Sequence, residues 1–410
     1  MAAVGRGLVR RGHSATFFHI PDLEAKALSE GLNFVPLGPK DYPKGSLAES
    51  VSRLAKLKGM AALKFSVQSA ARIAEAILRD GPEQIGRSAV DVLLVDQNEP
   101  AGGSVAEFLG LPFVSVCTSL PLNREPLIPP PFVAWGYSTG LLSRIRNAIG
   151  YALADRLIAP IEKVLNNYRV RWKLPAVKGP NDTFSRLATI AQMAREFDFP
   201  RRQLPASFCY TGPWFDEQLS SGVSFPWDQL DERPIVYGSI GTIQDRSSDM
   251  FRTIAEACLD LDVQLVLSLG SGTGISELKL PGNPIVVNYA PQTELLSRST
   301  LTITHCGMNT TQQSLHFGVP LVAMPLAHDQ PAIAARLSRS GAGFILSPAQ
   351  VTPSRLRAAV QSVLPAASSF RAGAAAMRDA IRNGGGVEAA CDVAESVLKR
   401  KTDNRPVVSR

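Results

Sequence analysis

The sequence predicts an α/β protein built as two doubly wound parallel-sheet domains that face each other across a cleft. Three observations predict this. β-branched, apolar runs of strand length alternate with helical stretches along most of the chain. The alternation lapses in the turn-rich segment TGPWFDEQLSSGVSFPWDQLDERP and then restarts. Finally, 410 residues, 45% hydrophobic and 19% charged, are enough to bury two separate cores. The expected division is a first domain over 1–212, a linker over 213–234, a second domain over 235–385, and a closing helix with a basic tail over 386–410.

Each element follows in order. A helix ends near Gly12, SATFFH (14–19) reads as a strand, and NFVPL (33–37) as another. VDVLLVDQ (90–97) is a strand ending in polar residues, followed by a helix over 103–109 and the strand FVSVC at 113–117. This β-α-β order implies a parallel sheet covered by helices. Between 121 and 195 the rhythm breaks: three consecutive prolines beside Phe132 and Trp135 rule out regular structure locally, so a loop with helices is expected. With Tyr137, those aromatic residues suggest an apolar binding wall or an ordinary packed loop. After the linker, strands are expected at 235–241, 263–270, 284–290, 301–306, 321–325 and 344–346. Helices are expected at 249–261, 309–317, 332–340 and 354–364, then over 366–382 and 387–399.

Composition narrows the function. No apolar run reaches the roughly 18–20 residues of a membrane-spanning helix, and the start lacks the order of a secretory signal, so a cytoplasmic protein is expected. The five cysteines are scattered and never arranged as CxxC, which favours reduced core thiols over a disulfide framework or a zinc site. A formal net charge of +7 fits nucleic acid, an anionic membrane face or an anionic small substrate. No basic motif interleaved with aromatics is present, so nucleic acid is not expected as a partner. The ending KRKTDNRPVVSR reads as a frayed basic tail, and peripheral contact with the inner face of a membrane is compatible with it.

In the second half, polar residues recur just past the strand ends. Ser239, Gly241 and Thr242 follow one strand; His305, Gly307, Asn309 and Thr310 follow another. At the carboxyl edge of a parallel sheet such residues face the ligand crevice, beside the unpaired N–H groups of the next helix. The ligand they suit is an anion, above all a phosphate. Gly307 lets the backbone come close, Asn309 and Thr310 can cap the helix or donate to oxygens, and His305 adds a ring N–H. The plainer alternatives are a buried histidine satisfied by backbone and simple helix capping. SLGSGTG lacks the spacing of a Walker lysine loop and reads equally well as a turn.

YAPQTELLSRSTLTITHCGMNTTQQSLHFGVPLVAMPLAHDQ, residues 289–330, resembles the donor-binding signature of family 1 UDP-glycosyltransferases: W-x-P-Q-x-x-L-L, then T-H-x-G-x-N-S/T-x-x-E, then G-V-P and D-Q. Together with GSIGTIQD and RNGGGVEAA, it is similar to bacterial members of the zeaxanthin glucosyltransferase group. The likeness is motif-deep over 235–392 and looser in the first half. It implies the GT-B fold of two Rossmann-like domains, acceptor half first and nucleotide-sugar half second. It also implies a UDP-sugar as donor substrate, with no cofactor and no metal. By the same likeness, Tyr289 would stack on uracil, and Pro291 and Gln292 would read base and ribose. His305, Asn309, Thr310, Ser239 and Thr242 would hold the diphosphate, with Gly241, Gly307 and Met308 in the same loops, and Asp329 and Gln330 would bind sugar hydroxyls.

Two departures stand out. Gln313 replaces the family's glutamate to the ribose hydroxyls, trading a two-acceptor, charge-assisted contact for a weaker one, which bears on UDP affinity and nucleotide choice. The start, MAAVGRGLVRRGHSATFF, matches the family only from its first helix onward, leaving no counterpart of the first strand and the loop with the catalytic histidine. The expectation is that Met1 is an internal methionine of a protein longer by that strand and loop, whose loss strips its neighbours of ladder partners. Asp96 matches the aspartate that orients the missing histidine and is the one catalytic candidate, with strand-end capping as its plain alternative. His13, His19 and His316 read as structural, and His328 as a neighbour of the sugar. The expected function is inverting transfer of a hexose, glucose in the first instance, to a hydrophobic acceptor such as a carotenoid, another lipid-like alcohol or a polyphenol. The alternatives are a catalytically silent nucleotide-sugar-binding partner and a related epimerase or hydrolase.

Overall fold

The computed structural model describes residues 1–57, 59–215, 222–241, 247–270 and 279–403. The first half runs α1 (Ala2–Arg10), β1 (Thr16–His19), α2 (Glu24–Ser29), β2 (Asn33–Pro36), α3 (Ser46–Ala55), α4 (Gly59–Arg87), β3 (Leu93–Asp96), α5 (Ala101–Leu109), β4 (Phe113–Cys117), α6 (Leu141–Arg171), β5 (Ala188–Ala191) and β6 (Phe208–Tyr210). The second half runs β7 (Ile235–Ser239), α7 (Ser247–Cys258), β8 (Gln264–Ser268), β9 (Ile285–Val287), α8 (Gln292–Arg298), β10 (Ser299–Thr304), α9 (Met308–His316), β11 (Leu321–Ala323), α10 (Gln330–Arg339), β12 (Gly343–Ile345) and α11 (Pro353–Val363). α12 (Ser369–Arg382) and α13 (Gly386–Asp403) follow.

The second half is one six-stranded parallel sheet in the order β12-β11-β10-β7-β8-β9. Chain order therefore reverses between β7 and β10, the switch point at which such sheets open a crevice at their carboxyl edge. β7 and β8 are wholly buried, as expected of central strands flanked by helices on both faces. One core, with Phe251, Ile254, Leu356 and Val360, lies between that sheet and α7 and α11.

The first half departs from the expected single doubly wound sheet. It holds a two-stranded sheet, β1-β2, and a separate four-stranded sheet, β3-β4-β5-β6, all parallel. Between β1 and β3 lies a slot of about 390 Å³, bordered by Phe17 and His19 on one side, Leu94 and Asp96 on the other, and Met1 and Gly5 of α1 above. The facing edges of β1 and β3 have no ladder partner among the described residues. The helix expected beyond the proline-rich loop is α6, 31 residues long with Pro160 inside it, so the irregular stretch stops near Gly140.

The closing helix α13 crosses back over the first half and packs on α1, β4 and β5. Gly7 permits this approach, since a Cβ there would stand 2.7 Å from Cys391 Sγ and from Val387. The two halves share a core in which Cys117, Met193 and Phe197 meet Cys306, Ile333 and Leu337. At its margin the buried Asp198 receives hydrogen bonds from Arg201 of its own half and Arg336 of α10. Among the described residues no helix is long and apolar enough to cross a membrane.

Candidate active site

A cavity of about 480 Å³ opens at the switch point, between the carboxyl ends of β7, β8 and β10 and the residues after β4 of the other half. Ser239, Gly241, Tyr289, Gln292, His305, Gly307, Met308, Asn309, Thr310 and Asp329 of the expected set all line it. Tyr289 stands half-exposed at the rim, where a flat base can reach it. Thr242 lies outside the described residues.

His305 occupies the centre of the cavity wall. Its ring is wedged between two glycines: a Cβ on Gly307 would lie 2.6 Å from Nε2, and one on Gly241 3.0 Å. Gly307 thus makes room for the imidazole as well as for a close-lying ligand. Nδ1 sits 3.5 Å from the Ser239 carbonyl oxygen and 3.4 Å from Thr304 Oγ1. Burial lowers the ring's pKa, against smaller opposing effects of the Ser239 carbonyl and the Asp329 charge. The resting ring is therefore neutral near pH 7, and an arriving anion would favour its protonation.

The N-cap position of α9 is Gly307, so Asn309 and Thr310 do not cap; both lie in the first helical turn. Their backbone N–H groups belong to the end of the helix that lacks intrahelical acceptors, and these point toward the crevice. Asn309 Oδ1 accepts from Gln192 Nε2 of the other half at 3.3 Å. Gln292 is the hub of an amide network: Tyr237 Oη donates to its Oε1 at 3.1 Å, and its Nε2 donates to Gln313 Oε1 at 2.6 Å.

Three further residues of the expected set do not line the cavity. Gln313 turns to Gln292 and does not line the cavity. Gln330 spends its carbonyl oxygen on the N–H groups of Leu326 and Ala327, at 2.8 and 2.9 Å, and so shapes the loop before α10. Pro291 immediately precedes α8, where its carbonyl accepts from the Leu295 N–H at 3.0 Å. Asp329, by contrast, faces inward and accepts a hydrogen bond from Ser119 Oγ across the cleft.

Asp96 ends β3 in the neighbouring slot, outside the donor cavity. Its Oδ2 accepts from Thr118 Oγ1 at 2.8 Å, and Thr118 does line the donor cavity, so one hydroxyl connects the two spaces. Beside it, burial and the Asp96 charge push Glu99 up to about 8, leaving Glu99 mostly protonated at neutral pH. Of the histidines, His13 pairs with Glu395 at 3.1 Å, His19 accepts the Ile20 N–H at 2.9 Å, and His316 packs edge-on against Phe215. Thr118, Ser119 and Glu99 were not anticipated, whereas Ser268 and Gly270 belong to the SLGSGTG stretch; the strand-end position of Thr118 and Ser119 is the signal that could have found them.

A six-stranded doubly wound sheet with a cavity at its switch point, faced by a second half, is an α/β architecture suited to an anionic ligand such as a nucleotide. Residues 47–373 match the family described as UDP-glucoronosyl and UDP-glucosyl transferase, and the chain belongs to that family of UDP-dependent glycosyltransferases. It is 36% identical over 405 residues to the zeaxanthin glucosyltransferase of Pantoea ananas, covering 98% of this chain and 93% of that one. The zeaxanthin glucosyltransferase of Pseudescherichia vulneris is 30% identical over 346 residues, covering 83% and 81%. The fold is similar to that of CalG4, the calicheamicin glycosyltransferase, with a TM-score of 0.75 at 22% identity over 98% of this chain and 94% of that one. The match establishes the GT-B architecture.

Proposed function

We propose that the protein transfers glucose from UDP-glucose, with inversion, to a hydroxyl of a hydrophobic acceptor such as a carotenoid. The observation that carries this reading is the cavity at the β7/β10 switch, where His305 and the first turn of α9 converge on a diphosphate-sized anion site. The acceptor class is supported by the similarity to zeaxanthin glucosyltransferases. Tyr289 stacks on the uracil, Gln292 meets base and ribose, and Asp329 exchanges its Ser119 contact for a sugar hydroxyl. No cofactor enters; UDP-glucose is a substrate. A cytoplasmic setting belongs to the same reading and is supported by five unpaired cysteines.

In the reaction the acceptor oxygen bonds to the sugar's anomeric carbon as that carbon's bond to the diphosphate oxygen breaks. UDP leaves with the bonding pair, held by His305 and the N–H groups of α9. The acceptor's proton passes to the Thr118 hydroxyl, whose own proton moves to Asp96 Oδ2 along the 2.8 Å hydrogen bond. The purified chain, incubated with UDP-glucose and zeaxanthin or a panel of hydrophobic alcohols, should yield a glucoside and UDP in equal amounts. UDP release without a glucoside would refute the acceptor class. Asp96→Asn and Thr118→Val should lower turnover while calorimetric UDP-glucose affinity stays unchanged; full activity in both would remove Asp96 from the chemistry.

A further inference from the structure

α6 buries one side and leaves the other bare. Asn147, Gly150 and Ala154 form its buried face, with Pro130 and Trp135 packed over Gly150. On the opposite face Leu141, Leu142, Ile145, Ile149 and Leu153, at the spacing of successive helical turns, are between 48% and 83% exposed. Ala148 and Ala152 fill the same ridge and are exposed too. A contiguous apolar strip of this kind on a water-soluble surface marks an interaction site.

The charges around the ridge indicate what covers it. No Asp or Glu occurs between 141 and 153, while Arg144 and Arg156 stand exposed at its two ends. The first carboxylate along the helix, Asp155, is already engaged by Arg124 at 2.5 Å. A second copy is a poor occupant: antiparallel two-fold pairing brings Arg144 of one chain towards Arg156 of the other, and parallel pairing sets each arginine against itself. An anionic lipid surface satisfies both features, taking the leucines and isoleucines at the acyl boundary and the arginines among its headgroups.

We propose that the exposed ridge of α6, Leu141 to Leu153 with Arg144 and Arg156, is a membrane-docking face that seats the protein on anionic lipid. The inference draws its purpose from the reading of a hydrophobic acceptor. The helix that meets the lipid also carries, on its inner side, the aromatic loop before residue 140: Arg146 lies 4.8 Å from the centre of the Trp135 ring, and Tyr151 Oη donates to the Ile128 carbonyl. An acceptor dissolved in a bilayer would thus leave it next to the first half of the enzyme.

Sedimentation with vesicles tests this on the full chain. With phosphatidylglycerol and phosphatidylcholine mixed, the wild type should pellet; with phosphatidylcholine alone, or in high salt, it should not. Ile149→Glu and, separately, the pair Arg144→Glu and Arg156→Glu should each weaken vesicle binding by more than about tenfold. Calorimetric UDP-glucose binding should be unaltered in all of them, which keeps this test apart from that of the transfer reaction and shows that the variants fold. A wild type that stays in the supernatant with anionic vesicles, an Ile149→Glu chain that pellets like the wild type, or a solution dimer that Ile149→Glu dissociates would each overturn the proposal.

Discussion

Arg336 and Asp198 lie 138 residues apart in sequence and meet with Nε 2.8 Å from Oδ1, both completely buried, one from each half of the molecule. Arg201, the Tyr210 hydroxyl and the Phe199 N–H also donate to the carboxylate. The two guanidinium groups outweigh burial and hold the Asp198 carboxyl well below the usual carboxylate range. Its stabilising effect is therefore present above the unfolded carboxylate pKa and is lost only as pH falls through the depressed folded value. Asp198→Asn leaves two buried arginines uncompensated and should cost about 3–5 kcal/mol. Denaturant unfolding should show that difference constant between about pH 5 and 8 and narrowing only in acid.

Gly307 should be as sensitive as the histidine it accommodates. An alanine there would press its Cβ to 2.6 Å from His305 Nε2 and force the ring out of place. Titration calorimetry should find UDP-glucose affinity reduced at least about tenfold in Gly307→Ala and in His305→Ala alike. Because burial keeps the free ring's pKa low and the diphosphate raises it, binding should take up protons and weaken as pH rises. In His305→Ala that pH dependence should vanish.

Glu99 makes the opposite pH prediction to Asp198. Its folded pKa of about 8 is raised, so between the ordinary glutamate range and that value the folded state holds a proton that the unfolded chain has released. The neutral carboxyl is thus destabilising to the fold only as pH climbs, and stability declines over that interval. Glu99→Gln should raise the melting temperature by a few degrees at pH 8 and leave it nearly unchanged at pH 5.

The slot between β1 and β3 should be visible to hydrogen exchange. Among the described residues, amides on the two facing edges lack ladder acceptors, whereas those of β4 and β5 are paired on both sides. Mass-resolved exchange should show β1 and β3 exchanging at least about a hundredfold faster than β4, from the lower local opening energy. Equal protection would mean that something already fills the slot.

Most of the second half could be read from sequence because local and global signals agree there. Each strand is a compact β-branched run, each is followed by a polar turn, and the spacing of His305, Gly307 and Asn309 has meaning only at a strand-to-helix junction. The partners of Gln313 and Gln330 were not legible because side-chain direction depends on groups contributed by other segments, Gln292 for one and the loop at Leu326 for the other. Thr118 and Ser119 were overlooked since they belong to the other half; only the closing of the two halves brings them to the donor cavity. Helices were expected between 121 and 195, but not that 31 residues of them form the single helix α6, because a helix bare on one face and buried on the other through Asn, Gly and Ala shows little of the usual apolar periodicity.

Ser119 and Asp329 give the enzyme a built-in placeholder. The hydroxyl of one half already sits on the carboxylate that the sugar would claim, so the halves are tied at the very point where the substrate enters. On the proposed role of Asp329, loading the donor would exchange one partner for another on that oxygen instead of adding a bond to an idle group. A sugar whose hydroxyl displaces the serine would then be preferred over an epimer whose hydroxyl does not.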